Sequence, residues 1–378
     1  MSPIQRISGV VLICIALFAF RQEVKAQLIG GLIQEKLDKK KREKNKLEGK
    51  KVTGIQISYL QEEASSRPGS VYNMIIKASI EGGNELITEG AGKGKTAWDN
   101  YIVEAENASF ENGALSVYSD FRKIKGGMIR FKASVKSDPS VVQQVEIPLT
   151  YEGDIYVNFS AAGGSYGQQG DNGYGGESNS QWSVGGKGGN GGNGGEGGTG
   201  ESGPDLEIHA KVEKDPALNK ELLYVYVKNN STGGSGYYAI DPVKAKISVY
   251  ANGGTGGRGG NGGNGGIGGS GINGGDGGDG GNGNNGGDGG NGGRITLYLD
   301  PSAKAYASAI VLNNFGGNGG GSGNAGAGGS GGGSYGGSGG RTGKYGAAGK
   351  YSGNAGKNGP APTILVQKTD ISWEAGTN

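Results

Sequence analysis

Between Val52 and Phe159 apolar residues recur at every second position. Ile129, Phe131, Ala133 and Val135 alternate with Arg130, Lys132, Ser134 and Lys136. Tyr72, Met74, Ile76, Ala78 and Ile80 make a second such face, and Val145, Ile147, Leu149 and Tyr151 a third. A period of two is the mark of a strand with one buried side. The pairs Pro68-Gly69, Gly82-Gly83, Gly126-Gly127 and Asp138-Pro139 read as turns between the runs. About eight short strands at this spacing predict a β-sandwich of immunoglobulin-like size over residues 52–153, enough chain for one core.

From residue 154 onward strands alternate with glycine tracts. Short apolar runs at 155–159, 247–250 and 310–312 lead into tracts at 163–203, 253–294 and 316–359; runs at 206–212, 295–299 and 363–366 follow them. The middle tract is fourteen consecutive glycine-led triplets, GGT GGR GGN GGN GGI GGS GIN GGD GGD GGN GNN GGD GGN GGR. A three-residue period matches the polyproline II helix, and GGX leaves two of its three edges without side chains, so backbones can approach closely. If neighbouring strands alternate in direction, all three tracts leave from one end of a second β-body. Each tract must return to that end, and its period breaks near the middle, at 178–184, at Gly271-Ile272-Asn273 and at Ser334-Tyr335. Two passes per tract, of about 20 residues at about 3.1 Å rise, predict six helices in a bundle roughly 60 Å long; four shorter passes would halve that. The expected fold is therefore mainly β: an N-terminal sandwich, then a second β-body over 154–378 bearing a polyglycine II bundle. Amides of such helices need partners from neighbouring passes. Without them the tracts would be loose glycine-rich linkers.

In these tracts the chain resembles glycine-rich polyglycine II bundle proteins of the springtail antifreeze and phage tail-tip adhesin types. The resemblance covers the three tracts only. It implies either a flat ice-binding face or receptor-binding loops at the bundle tip. The X positions of the middle tract are Asn, Asp, Arg, Thr and Ser with one Ile, a charged and solvated edge that disfavours ice. Near-absence of proline argues against collagen.

Composition adds the compartment. Of 378 residues 86 are glycine, and the formal net charge of +2 offers no field for nucleic acid. Arg6, the apolar run at 10–20 and Val24-Lys25-Ala26 read as a secretory leader over 1–26, too short to span a bilayer. Export to the periplasm, cell surface or medium is expected. The lone Cys14 lies in that leader, leaving no thiol chemistry to the mature chain. Residues 27–51, with the basic run from Lys39, predict an amphipathic helix or spacer, and 36–51 could touch an anionic membrane surface.

Catalytic signals are sparse. His209 is the single histidine and sits in an alternating strand, a structural position. GAGKGKT at 90–96 has Glu89 where a phosphate loop needs glycine, so it reads as an exposed hairpin loop. Asp276, Asp279 and Asp288 lie along one edge and are weak calcium candidates, lacking the apolar position of the nonapeptide repeat. No cofactor is expected and no enzyme activity. The candidate contact residues are those at the mid-tract breaks, Gln181, Trp182, Ile272, Asn273 and Tyr335. They suggest a structural or adhesive protein whose tip binds a cell-surface or matrix partner, protein or glycan. The alternatives are a purely mechanical envelope or matrix component that packs against its own copies, and a polysaccharide-active enzyme.

Overall fold

The computed structural model describes residues 45–61 and 66–371. The expected leader at 1–26 and residues 27–44 of the basic segment lie outside the described residues. Residues 45–51 are turns, not the helix that was one of two expectations there: Gly49 has φ 73°, and buried Leu47 donates its N–H to Asn100 Oδ1 at 2.9 Å.

The chain forms two units. The first takes in residues 45–61, Gly69–Tyr118 and Met128–Leu149. It holds β1 (Val52–Gln61), β2 (Val71–Ile80), β3 (Asn84–Ile87), β4 (Tyr101–Glu106), β5 (Ala108–Glu111), β6 (Ala114–Val117), β7 (Met128–Val135) and β8 (Asp138–Pro148). One sheet is ordered β1-β2-β6-β5, with β3 also on β2; the other is β4-β7-β8. All pairs are antiparallel. The alternating faces go inward: Tyr72, Met74, Ile76 and Ala78 of β2 and Ile129, Phe131, Ala133 and Val135 of β7 are fully buried. The Phe110 and Phe131 rings, one from each sheet, stand 5.3 Å apart, so both sheets share one core. Asp138-Pro139, expected as a turn, is instead the start of β8.

The second unit comprises Ser65–Pro68, Ser119–Gly127 and Thr150–Asn378. Residues 119–127 belong here because their side chains pack here. The Phe121 ring lies 4.9 Å from that of Tyr224, and the Arg122 guanidinium sits 3.3 Å above Tyr237 while pairing with Asp120 at 2.8 Å. The strands are β9 (Ile155–Asn158), β10 (Leu206–Asp215), β11 (Lys220–Asn229), β12 (Ser235–Ile240), β13 (Ile247–Tyr250), β14 (Ile295–Leu299), β15 (Ile310–Asn313) and β16 (Thr363–Val366). They make a five-stranded sheet, β12-β11-β10-β14-β16, and a three-stranded one, β15-β13-β9. Ile155, Val157, Ile247, Val249 and Ile310 from the small sheet bury against Ile208, Val225, Ile295, Leu297 and Leu299 from the large one. Strand directions alternate along the chain, but strands adjacent in sequence are not always neighbours in a sheet. The three strands leading into the tracts, β9, β13 and β15, pair in parallel. So do the three that follow them, β10, β14 and β16.

Each tract makes two passes, giving six: A (160–177), B (185–204), C (252–270), D (274–294), E (314–333) and F (338–361). Their amides pair with a three-residue period. Gly164, Gly167, Gly170 and Gly173 of A donate to Thr255, Arg258, Asn261 and Asn264 of C; C donates likewise to E, B to D, and D to F, always in parallel. A second amide in each triplet donates to the adjacent antiparallel pass, B to A, C to B, D to C, E to D and F to E. The passes thus form two rows of three, A-C-E and B-D-F. At one level an unbroken path of five hydrogen bonds crosses both rows, linking Asp171, Gly192, Gly263, Gly281, Gly326 and Gly346 at 2.7–3.0 Å. The rows continue the two parallel sheets: the 92-residue offset between A and C is that of β9 and β13, and the 89-residue offset between B and D is that of β10 and β14.

No glycine within the six passes has positive φ among the described residues. Their glycines answer to close approach instead. A Cβ on Gly263 would overlap the carbonyl oxygen of Asp171, and one on Gly262 that of Gly281. C and D, with four neighbouring passes each, carry two glycines per triplet except at Asn284 of D, whose side chain donates to Gly194 O at 3.1 Å; A and F, at opposite corners with two neighbours, need one, and place Gln168, Asp171, Thr342 or Tyr345 where C and D have glycine.

Gly263→Ala is expected to destabilise the second unit by about 1–3 kcal/mol or more through overpacking. Gly321→Ala, where a Cβ meets nothing within 4 Å, should stabilise it by about 0.4–1 kcal/mol by restricting the unfolded chain. Denaturant midpoints of the two variants test this opposition of sign.

Candidate bundle-tip site

In passes B, C and D two amides of each triplet are consumed by backbone partners. The third, on the X residue, finds a side chain where the preceding pass of its row carries Asn or Asp at X. Within row A-C-E, Asn172, Asn261 and Asn264 accept through Oδ1 from the N–H of Asn264, Asn324 and Ala327. In row B-D-F, Asn190 and Asn193 accept from Asp279 and Asn282, which accept in turn from Lys344 and Ala347. An X residue that is Asn or Asp therefore completes the hydrogen bonding of the next pass. The three calcium candidates are such acceptors: Asp276, Asp279 and Asp288 take the N–H of Arg341, Lys344 and Asn354 at 2.7, 2.7 and 2.6 Å. Among the described residues no group of three or more His, Cys, Asp or Glu could hold a metal ion.

Because every tract goes out and back once, the three turns meet at one end. They are tied in order. Ile272 of the second turn donates its N–H to Ser183 O of the first at 2.7 Å. Tyr335 and Gly337 of the third donate to Gly271 O and Ile272 O, both at 2.9 Å. Ser334 Oγ donates to Ile272 O at 3.0 Å, and the Ser338 N–H to Asn273 Oδ1 at 3.0 Å. The first turn closes on itself through Asn179 Nδ2 to Val184 O at 2.7 Å. On this braced frame Trp182 is 80 % exposed and Tyr335 61 %. Gln181 and Asn273 are exposed beside them, and Ile272 is half-buried between the turns. Four of the five candidate contact residues are thus open to solvent at one end. Ser183, Ser334 and Asn179, which hold the turns, were legible only as turn-forming residue types.

Comparison with protein families, curated proteins and solved structures finds no match to this chain. Its chemistry must be read from its own residues.

His209 lies on the outer face of the large sheet. Its ring stacks on Tyr298 at 4.8 Å, its Nε2 meets Glu207 Oε1 at 2.8 Å and its Nδ1 meets Thr369 Oγ1 at 2.5 Å. The hydrogen bond from His209 holds the Glu207 carboxyl below its ordinary value. Both ring nitrogens are engaged, and the residue pins 368–371 to the sheet. In the 90–96 loop, a Cβ on Gly94 would overlap the Ile87 carbonyl, and Thr88 and Thr96 are fully buried. Its glycines serve a tight fold-back closed by a parallel bridge from Thr88 to Thr96 rather than a hairpin, with Gly90, Lys93 and Lys95 exposed as expected.

Asn282→Ala removes the acceptor for the Ala347 N–H and should cost about 0.5–1.5 kcal/mol. Asn282→Asp keeps that acceptor and should leave stability near the parent. Hydrogen exchange at the Ala347 amide should accelerate in the first variant only.

Proposed function

We propose that this is a non-catalytic, exported structural or adhesive protein whose glycine bundle carries a binding tip. The observation behind this reading is the braced cluster of three turns with Trp182 and Tyr335 exposed on it. A large aromatic held mostly in water contributes little buried area to the fold, and it costs little to bury against a partner because its frame is already ordered. The surrounding side chains, Ser180, Gln181, Ser183 and Asn273, are uncharged donors and acceptors. That mixture suits a cell-surface or matrix partner presenting hydroxyls and apolar ring faces. The likeness to tail-tip adhesins supports the same reading, and the leader supports export. The basic segment at 36–51 would add contact with an anionic surface.

Trp182→Ala is expected to reduce binding of the purified protein to whole cells and to a glycan array at least tenfold, while the melting temperature stays within about 1 °C. Undiminished binding with Trp182 and Tyr335 both replaced by alanine would remove the tip from consideration.

A further inference from the structure

The two flanks of the bundle differ in charge. Pass A carries Asp171 and Glu177 and no base; pass F, at the opposite corner, carries Arg341, Lys344, Lys350 and Lys357 and no acid. All six are exposed. Asp276, Asp279 and Asp288 on pass D stand beside Arg341, Lys344 and Asn354, but Lys357 faces Asn291 there, so four bases on F against three acids leave the flank a surplus of positive charge. The hydrogen-bond levels fix how high each charge sits. From Glu177 the path runs through Gly186, Gly269, Gly275 and Gly332 to Gly340, next to Arg341. From Asp171 it ends at Gly346, two residues from Lys344. Acids and bases on opposite flanks therefore stand at matching heights.

We propose that the bundle associates side by side with a second copy of this chain, the A flank of one against the F flank of the next. Pass order permits this by simple translation. F runs back toward the body and A runs outward, so a neighbouring A continues the alternation of antiparallel passes. Side chains at the outward positions, Asp171, Tyr174 and Glu177 of A and Thr342 and Tyr345 of F, keep the two backbones from closing into one lattice, so the contact is between side chains: Tyr174 near Tyr345, with Arg341 and Lys344 reaching from the adjoining X positions of F to Glu177 and Asp171. Those tyrosines are 88 % and 78 % exposed. Such an interface is heterologous and open-ended, giving rows of bundles rather than closed dimers. It stands apart from the tip reading, and Trp182→Ala leaves it unchanged.

Sedimentation velocity over a concentration series tests it. The purified protein should form growing oligomers at about 0.1 M salt and dissociate at about 1 M, where the Debye length falls from about 10 to about 3 Å. Asp171→Lys with Glu177→Lys, and separately Arg341→Glu with Lys344→Glu, should each be monomeric, and an equimolar mixture of the two should associate again. If either reversal disturbs melting, Asp171→Asn with Glu177→Gln and Arg341→Gln with Lys344→Gln replace them; each should be monomeric, alone and mixed. A parent that stays monomeric at low salt overturns the proposal. So does association that survives either pair of changes, or charge-reversed proteins that fold and fail to re-associate on mixing.

Discussion

The second unit depends on one steric fact: a glycine backbone can sit where any Cβ would strike a carbonyl oxygen. In an ordinary core, side chains interlock and backbones stand apart. In the bundle the relation is inverted. Peptide groups of one pass lie against those of the next, and cohesion comes from amide-to-carbonyl bonds of 2.7–3.2 Å that recur at every level. Glycine is costly to order, roughly 0.5–1 kcal/mol per residue beyond alanine in regular structure. One paired amide contributes about as much net. The inner passes come closest to using every amide, and the Asn and Asp residues at X add to that use. Where an Asn or Asp at X accepts the third N–H of the next pass, a donor that water would otherwise take is drawn into the lattice.

The same fact makes the bundle finite. A pass needs glycine only on edges that face another pass, so glycine density reports neighbour number. The middle tract supplies C and D, which touch four passes each, and it holds the strict pattern. The first and third tracts supply the corners, and their looser pattern is the record of edges that face water. Gln168 and Tyr345 at outward positions exclude a further helix. They limit the backbone lattice to six passes and leave the flanks to side-chain chemistry.

Much of this was legible in the chain. The period of two at 72–80 and 129–135 marked the buried faces of β2 and β7, because one-sided burial leaves that trace in any strand. The breaks at Ile272 and Tyr335 marked the turns, because a pass that reverses must leave its period. Pairing partners were not legible. Direction could be counted along the chain, but nothing local says that β10 should lie beside β14 rather than β9. Nor does composition reveal that Asp276 and Asp279 accept backbone amides: a row of carboxylates three apart reads equally as a cation edge. Phe121 and Arg122, in a stretch without strand alternation, gave no sign that they pack on Tyr224 and Tyr237. Trp182 and Tyr335 stood out as large aromatics in glycine-rich surroundings; the serines and asparagine that brace them did not.

The offsets shared by sheet and bundle bear on how the tip is held. The 63-residue offset between C and E is that of β13 and β15, just as 92 and 89 recur on the other pairs. Along A-C-E and B-D each row is therefore a parallel sheet whose strands pass into threefold helices without slipping against one another. A slip by one residue would place an X side chain where the lattice needs glycine, and it is prevented at the root by side chains such as Ile247 and Ile295 in a conventional core. Only F departs: its offset from D is 65 at Ala347, 66 from Tyr351 to Lys357 and 67 between β14 and β16, two extra residues that a corner pass can bulge outward without meeting a neighbour. Register is thus set by hydrophobic packing in the body and carried outward by hydrogen bonds alone. The spacing of the three turns at the far end follows from that register, with no core of their own to impose it.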